Sequence, residues 1–279
     1  MDFLNSIILL TNFIIVPGIT YGSQLALGAI GVTLIYGVLR FANFAYGDLM
    51  AFGTMVVILM TWYLQSKGIS FGLLPTALLA LPIGILLTIA VSLFFDKTVF
   101  EYYRNKKSNP VTFIVVSLGI MFVLNAVVRI IIGPNDINFM DGHKFIMKAR
   151  EFKQLTGLNE GLAIKSTQVI TLVTTIITCS ILFYFLNKTK TGKSMRAYSN
   201  NEDLALLSGI DPKKIVLITW VIVSILATVA GTLYGLDKSF KPFTYFNNLL
   251  PIFAATIVGG IGNPLGAFYG GFLIAFSEI

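Results

Sequence analysis

Charge is what this chain has least of. Only 12% of its 279 residues are Asp, Glu, Lys or Arg, against about a quarter in a typical soluble domain. Cysteine is nearly absent as well. The single Cys179 lies inside an apolar run, which excludes an intrachain disulfide and a C-x-x-C redox motif. The single histidine, His143, has no cysteine or second histidine at metal-ligand spacing, so no metal centre is expected. No Ser-His-Asp set and no H-E-x-x-H motif is visible, which leaves a membrane hydrolase without support. Thr191-Gly192-Lys193-Ser194 ends like a phosphate loop. Asn187, however, stands where G-x-x-x-x-G-K-[ST] needs glycine, and the segment follows an apolar run rather than a strand. It reads as a solvated basic loop, and the chain shows no ATPase of its own.

What the chain does have is apolar sequence in runs of bilayer length. Hydrophobic residues make up 56% of it, with a mean hydropathy of +0.82. A helix rises 1.5 Å per residue, so about 20 apolar residues cross the hydrocarbon. Uncharged or nearly uncharged runs occupy residues 18–38, 41–62, 73–95, 111–132, 167–186, 215–236 and 249–277. The last is broken by Gly262-Asn263-Pro264, which favours two short segments over one tilted span. The stretch Leu4–Val16 is too short to span, and Pro17-Gly18 is expected to end it as an interfacial or partly embedded lead-in helix. Residues 1–17 carry Asp2 and no Lys or Arg, so they do not read as a signal peptide. The expected architecture is an all-α, polytopic transmembrane helix bundle of about eight membrane segments, forming a single domain over 1–279.

The net charge of +7 would suggest nucleic acid in a soluble protein. Here the basic residues sit between apolar runs, where they face anionic lipid and fix orientation, so nucleic acid is not expected as a partner. Lys97, Arg104, Lys106 and Lys107 cluster in 96–110; Lys188, Lys190, Lys193, Arg196, Lys213 and Lys214 cluster in 187–214. Two spans separate these loops, so both face one side, taken as the cytoplasm. Residues 133–166 then form an external cap. Inside the spans only Asp48 and Arg129 are ionisable, the latter near a helix end where it can snorkel. That is little machinery for ion coupling. Uphill transport would draw its energy from a partner.

The cytoplasmic segment carries helix punctuation. Ser199-Asn200-Asn201-Glu202 fits a capping box opening a short helix at about 200–208, with Gly209 as its terminator. Asp211-Pro212 then caps the next span. The short helix would present Leu204, Ala205 and Leu207, with Glu202 and Asp203 at its positive end. This is either an ordinary interfacial helix or a docking helix for a cytoplasmic partner. Gly259, Gly260, Gly262, Gly266, Gly270 and Gly271 form a small-residue cluster suited to close helix packing in lipid.

Three segments together resemble one family, the membrane permeases of bacterial ABC importers for branched-chain amino acids, LivH type. Residues 18–53 are similar to its first span and the N-F-A-H-G-E turn that follows. Residues 192–210 are similar to its G-x-x-x-R-A…E-D-x-x-x-A…G-I cytoplasmic loop. Residues 254–278 are similar to its A-A-x-x-G-G-I-G-x-x-x-G-A-x-x-G-G ending. The chain departs from the pattern at Tyr46 (commonly His), Asp48 (commonly Glu) and Arg40 (usually small or apolar). It also stops at Ile279, where the family has one more span and a basic tail, so the sequence reads as truncated.

The resemblance implies a permease translocating branched-chain or other hydrophobic amino acids by alternating access in the bacterial inner membrane. It implies a second permease subunit, two cytoplasmic ATPase subunits and a periplasmic substrate-binding protein as partners. ATP and magnesium would be bound by the ATPases, and no cofactor by this chain. Arg196, Glu202, Asp203, Ala205 and Gly209 would belong to the coupling segment that touches an ATPase. Asn43, Phe44, Ala45, Gly47 and Asp48 would line or support the path. Alternatives are the same machine for urea, amides or another small solute, and a stand-alone channel or facilitator. A membrane enzyme is a further rival.

Overall fold

The computed structural model describes residues 2–156 and 158–279. Helix α1 (Asp2–Leu10) runs through a π turn at Thr11–Ile15 into α2 (Val16–Leu39) without a stop. This corrects the expectation that Pro17-Gly18 ends a lead-in helix. Proline removes one helical hydrogen bond and presses on the preceding turn, and the widened π turn just before it makes the room. At its other end α2 closes on Arg40, whose backbone is left-handed (φ 61°). Residues 41–45 are non-helical, and α3 (Tyr46–Ser66) begins only at Tyr46, not at 41 as its hydropathy predicts.

The chain returns through α4 (Ala77–Phe95), which accommodates Pro82, then a π turn at Asp96–Phe100 and the short α5 (Glu101–Asn105). Helix α6 (Pro110–Ile132) follows. The polar segment beyond it holds β1 (Phe145–Met147), α7 (Ala149–Thr156) and β2 (Ile164–Lys165), the two strands pairing antiparallel. Next come α8 (Ser166–Lys188), α9 (Lys190–Asn200), α10 (Glu202–Leu207) and α11 (Pro212–Lys238). The described chain ends with α12 (Pro242–Asn247), α13 (Leu249–Gly259) and α14 (Pro264–Glu278).

Among the described residues, six helices are long and apolar enough to cross a bilayer, the first covering Phe3–Leu39. α13 and α14, at 11 and 15 residues, are each too short for a full crossing and pair as a hairpin, as the glycine-proline break predicts. The all-α bundle is therefore observed, with a two-stranded ribbon in its polar cap.

Helix α2 is the axis of the bundle. Nearly its whole surface is buried against α14, α11, α13 and α8. The outward faces of α4 and α8 carry Leu86, Leu87, Phe94, Ile176, Ile177 and Ile181 in the open. In water such a surface would aggregate; against lipid it needs no cover. The two basic loops lie on one side, where Lys213 reaches Glu101 at 3.8 Å. On the opposite side Asn12 donates to the Gly161 carbonyl at 2.7 Å, and the N–H of Ala163 donates back to Asn12. There too Asp141 accepts from Gln65 at 3.0 Å and from the N–H and hydroxyl of Thr76.

Candidate functional site

The break after α2 sends residues 41–45 back into the bundle. Phe41 is held there by stacked or tilted rings, Phe113 at 5.1 Å and Phe100 at 5.3 Å. Asn43 is buried, and its Oδ1 accepts from the N–H of Ala45 at 3.0 Å, a side-chain turn that launches α3. The N–H of Phe44 donates to Ser117 of α6 at 3.1 Å, and its ring meets Phe253 of α13 at 5.3 Å. Gly47 lies against the backbone oxygen of Tyr245, so close that a Cβ would stand 2.8 Å from it. Tyr46 is fully buried, its hydroxyl over Gly31, where a Cβ would clash outright. Gly31 is eight residues before the end of α2, so the Tyr46 hydroxyl reaches a level about 12 Å up that helix from its end.

Asp48, 1% exposed, sits in the first turn of α3, where the positive end of the helix favours a carboxylate. Its Oδ1 accepts from Asn125 Nδ2 at 2.7 Å, and its Oδ2 has no partner among the described residues. One turn along α6, the Arg129 guanidinium lies 5.8 Å from the centre of the Phe243 ring. Non-helical backbone and a buried carboxylate at this depth are tolerated in a membrane only where protein or a polar path covers them. Asn43, Phe44, Ala45, Gly47 and Asp48 are thus brought into one cluster.

The second region lies on the basic side. Gly192 is required where α8 bends into α9, because a Cβ would stand 2.2 Å from the carbonyl of Phe185. The phosphate-loop look-alike is accordingly part of a helix, capped by Thr189 accepting from Gly192. Helix α9 runs on to Asn200, past the expected start of the next helix. The cap of α10 is Asn201, whose Oδ1 accepts from Leu204 N at 3.0 Å. This replaces the expected Ser199–Glu202 capping box. Glu202 instead accepts from the Tyr198 hydroxyl at 2.6 Å; burial first, then this carboxylate, push that hydroxyl's pKa up. Gly209 (φ +79°) ends α10 and Asp211 caps α11, accepting from Lys213 N at 3.0 Å, both as the sequence predicts.

Arg196, Glu202, Asp203 and Gly209 are exposed together, whereas Ala205 is buried and does not share their surface. The outward apolar face is Leu204, Leu206 and Leu207, the last 85% exposed. Leu206 was missed in the sequence. So was the contact that joins the two regions, in which Arg40 Nη2 donates to the carbonyl of Ser199 on α9. The open cleft beside it is lined by Thr33, Gly37, Arg196, Ser199, Gly262 and Asn263.

The glycine cluster divides by role. A Cβ on Gly259, Gly266 or Gly270 would stand 1.8–2.2 Å from a carbonyl of the facing helix, so α13 and α14 touch backbone to backbone. Gly271 meets the backbone of Ala26 on α2 in the same way. Gly260 (φ +92°) and Gly262 (φ +85°) do not pack; they make the turn between the helices, tied to α2 by Gly262 N donating to Thr33 Oγ1 at 2.8 Å. Among the described residues no group of three His, Cys, Asp or Glu is placed to hold a metal ion.

Residues 14–279 match the family model described as the permease component of branched-chain amino acid transport systems. Similar proteins include the high-affinity branched-chain amino acid transport system permease protein LivH of Escherichia coli, 27% identical over 94% of this chain and 82% of that one. The permease protein BraD of Pseudomonas aeruginosa is 27% identical over 95% of this chain and 84% of its own length. The probable LivH of Methanocaldococcus jannaschii is 30% identical over 96% and 80%. No solved structure matches.

Proposed function

Since this chain belongs to the family of permease components of branched-chain amino acid transport systems, we propose that it moves branched-chain or other hydrophobic amino acids across the membrane. It is a transport subunit, not an enzyme. The observation that carries the reading is the pairing of two regions. A re-entrant, polar-lined break lies deep in an otherwise apolar bundle, and Arg40 ties its entrance to a solvent-exposed helix pair.

A zwitterionic solute with an apolar side chain suits this interior. The paired rings of Phe44 and Phe253 offer an apolar lining, and Phe243 stands half-exposed beside Phe246. Asp48 with Asn125 inside, and the exposed Arg129 guanidinium one turn along α6, offer opposite charges. The energy comes from two partner ATPases, which bind ATP and magnesium, while this chain binds no cofactor. The leucine face of α10, with Arg196, Glu202, Asp203 and Gly209 around it, is the docking surface for one ATPase. The basic side is the cytoplasmic face of the inner membrane. A second permease chain completes the transmembrane unit, and a substrate-binding protein delivers solute to the cap around residues 133–166.

The test is co-purification from detergent-solubilised membranes. The chain with Glu202 and Gly209 intact should bring down an ATP-hydrolysing subunit, and Gly209→Arg or Glu202→Arg should lose it. If no ATPase accompanies the intact chain, the energy source is wrong and the chain is a facilitator.

A further inference from the structure

The break at 40–46 has a counterpart. Residues 33–46 read Thr-Leu-Ile-Tyr-Gly-Val-Leu-Arg-Phe-Ala-Asn-Phe-Ala-Tyr; residues 232–245 read Thr-Leu-Tyr-Gly-Leu-Asp-Lys-Ser-Phe-Lys-Pro-Phe-Thr-Tyr. In this register Thr33, Leu34, Phe41, Phe44 and Tyr46 coincide with Thr232, Leu233, Phe240, Phe243 and Tyr245. Backbone geometry coincides too. Arg40 ends α2 at φ 61° and its equivalent Ser239 ends α11 at φ 109°. With Lys107 they are the non-glycine residues of positive φ among those described. Both tyrosines are fully buried, and each sends its hydroxyl onto a glycine of the preceding long helix. Tyr46 lies over Gly31; Tyr245 donates to the Gly231 carbonyl at 2.9 Å.

Packing around the two breaks repeats with opposite direction. A Cβ on Gly231 of α11 would meet Thr54 and the Met50 carbonyl of α3, and one on Gly28 of α2 would meet Ile252 of α13. Helix α4 lies on α3 and α11, joined to the latter by Ser92 and Ser224 at 2.6 Å; α14 lies on α13 and α2 through Gly271 and Ala26. α2 descends toward the basic side and α11 climbs away from it. Each segment is also latched on its own side by a cation. Arg40 bonds to Ser199 on the basic side. Lys241 reaches Asp136 at 3.5 Å on the other, where Ile137 and Phe240 exchange backbone hydrogen bonds of 2.8 and 2.9 Å.

We infer that α2–α4 and α11–α14 are inverted copies of one unit, and that 239–248 is the second half of the path, closing the external end as 40–46 closes the cytoplasmic end. This rests on the reading of the chain as a permease, and it assigns a role to Phe240, Phe243 and Tyr245. Two copies of one packing arrangement, facing opposite ways, have equivalent contacts to exchange when one gate opens and the other shuts.

Reciprocal accessibility tests it. In the assembled importer with Cys179→Ser as background, Phe44→Cys and Phe243→Cys are each probed with a membrane-impermeant thiol reagent in vesicles of both orientations. Phe44→Cys should react only from the basic side and Phe243→Cys only from the other. Trapping the ATPases with ATP and vanadate should shift the two rates at least fivefold in opposite directions. If either variant fails to insert, Ala42→Cys and Asn247→Cys carry the same readout. Reaction of both from one side, or rates that move together or stay fixed, overturns the paired gates. Leucine as an added ligand separates the two readings. Opposed, nucleotide-driven shifts that leucine leaves unchanged uphold the gates while rejecting the solute.

Discussion

Arg40, at the left-handed end of α2, donates from its guanidinium to the backbone carbonyl of Ser199 on α9. This bond joins the exposed helix pair on the basic side to the entrance of the re-entrant segment. Arg40→Ala is expected to leave insertion and ATPase binding intact while lowering solute uptake about tenfold, the rate equivalent of ~1.4 kcal/mol, just under the ~1.5–3 kcal/mol of a hydrogen bond from a charged group. ATP hydrolysis measured beside uptake checks it. If both fall together, Arg40 serves assembly and not transmission.

Leu204 and Leu207 are one helical turn apart on α10 and open to solvent, whereas Ala205 faces inward. Replacing both leucines by Asp should abolish ATPase capture yet leave the detergent melting temperature unchanged. Ala205→Leu should do the reverse, lowering the melting temperature through overpacking of about 1–3 kcal/mol. Equal behaviour of the two variants would place the docking surface elsewhere.

Gly266 and Gly119 make a matched pair. A Cβ on Gly266 would stand 1.8 Å from the Gly259 carbonyl, while one on Gly119 would meet nothing within 4 Å. Gly266→Ala should separate α13 from α14 and destabilise the bundle by about 1–3 kcal/mol. Gly119→Ala should change stability by about 0.5 kcal/mol or less. Thermal melts in one detergent compare them directly.

Asp141 joins the polar cap to the start of α4. Burial works against its charge, but hydrogen bonds from Thr76 and Gln65 outweigh that and hold its carboxyl below the usual carboxylate range. A carboxyl depressed in the folded state stabilises it fully above the unfolded value, near ~4. That contribution is lost as pH falls through the lower folded value. The cap should therefore become protease-sensitive on acidification below about pH 4. Asp141→Asn should be cut faster at neutral pH and show less further change on acidification. A cap equally resistant at every pH would remove Asp141 from this role.

The long spans were legible because burial in lipid imposes its length on the sequence. Residues 111–132, 167–186 and 215–236 fall within a few residues of α6, α8 and α11. The glycine-proline break of the last run was legible for the same reason, since Gly260 and Gly262 supply the positive φ of its turn. The re-entrant segment was not. Phe41, Ala42, Phe44 and Ala45 are as apolar as any helix in a membrane, so hydropathy runs straight through them. Pro17-Gly18 misled in the other direction, because a π turn lets a helix pass proline at little loss.

By itself, then, the sequence determined a polytopic apolar bundle, its two basic loops on one side, and on that side the Gly209 stop of α10 and the Asp211 cap of α11. Hydrophobic length, charge placement and capping are local properties that a single segment carries. Only the tertiary structure decided that Tyr46 and Tyr245 occupy equivalent places, that Arg40 reaches Ser199, and that Asp48 meets Asn125 deep in the protein. Each of those depends on segments far apart in the chain meeting, the two tyrosines at glycines such as Gly31 and Gly231, and packing of that kind has no period for a sequence to display.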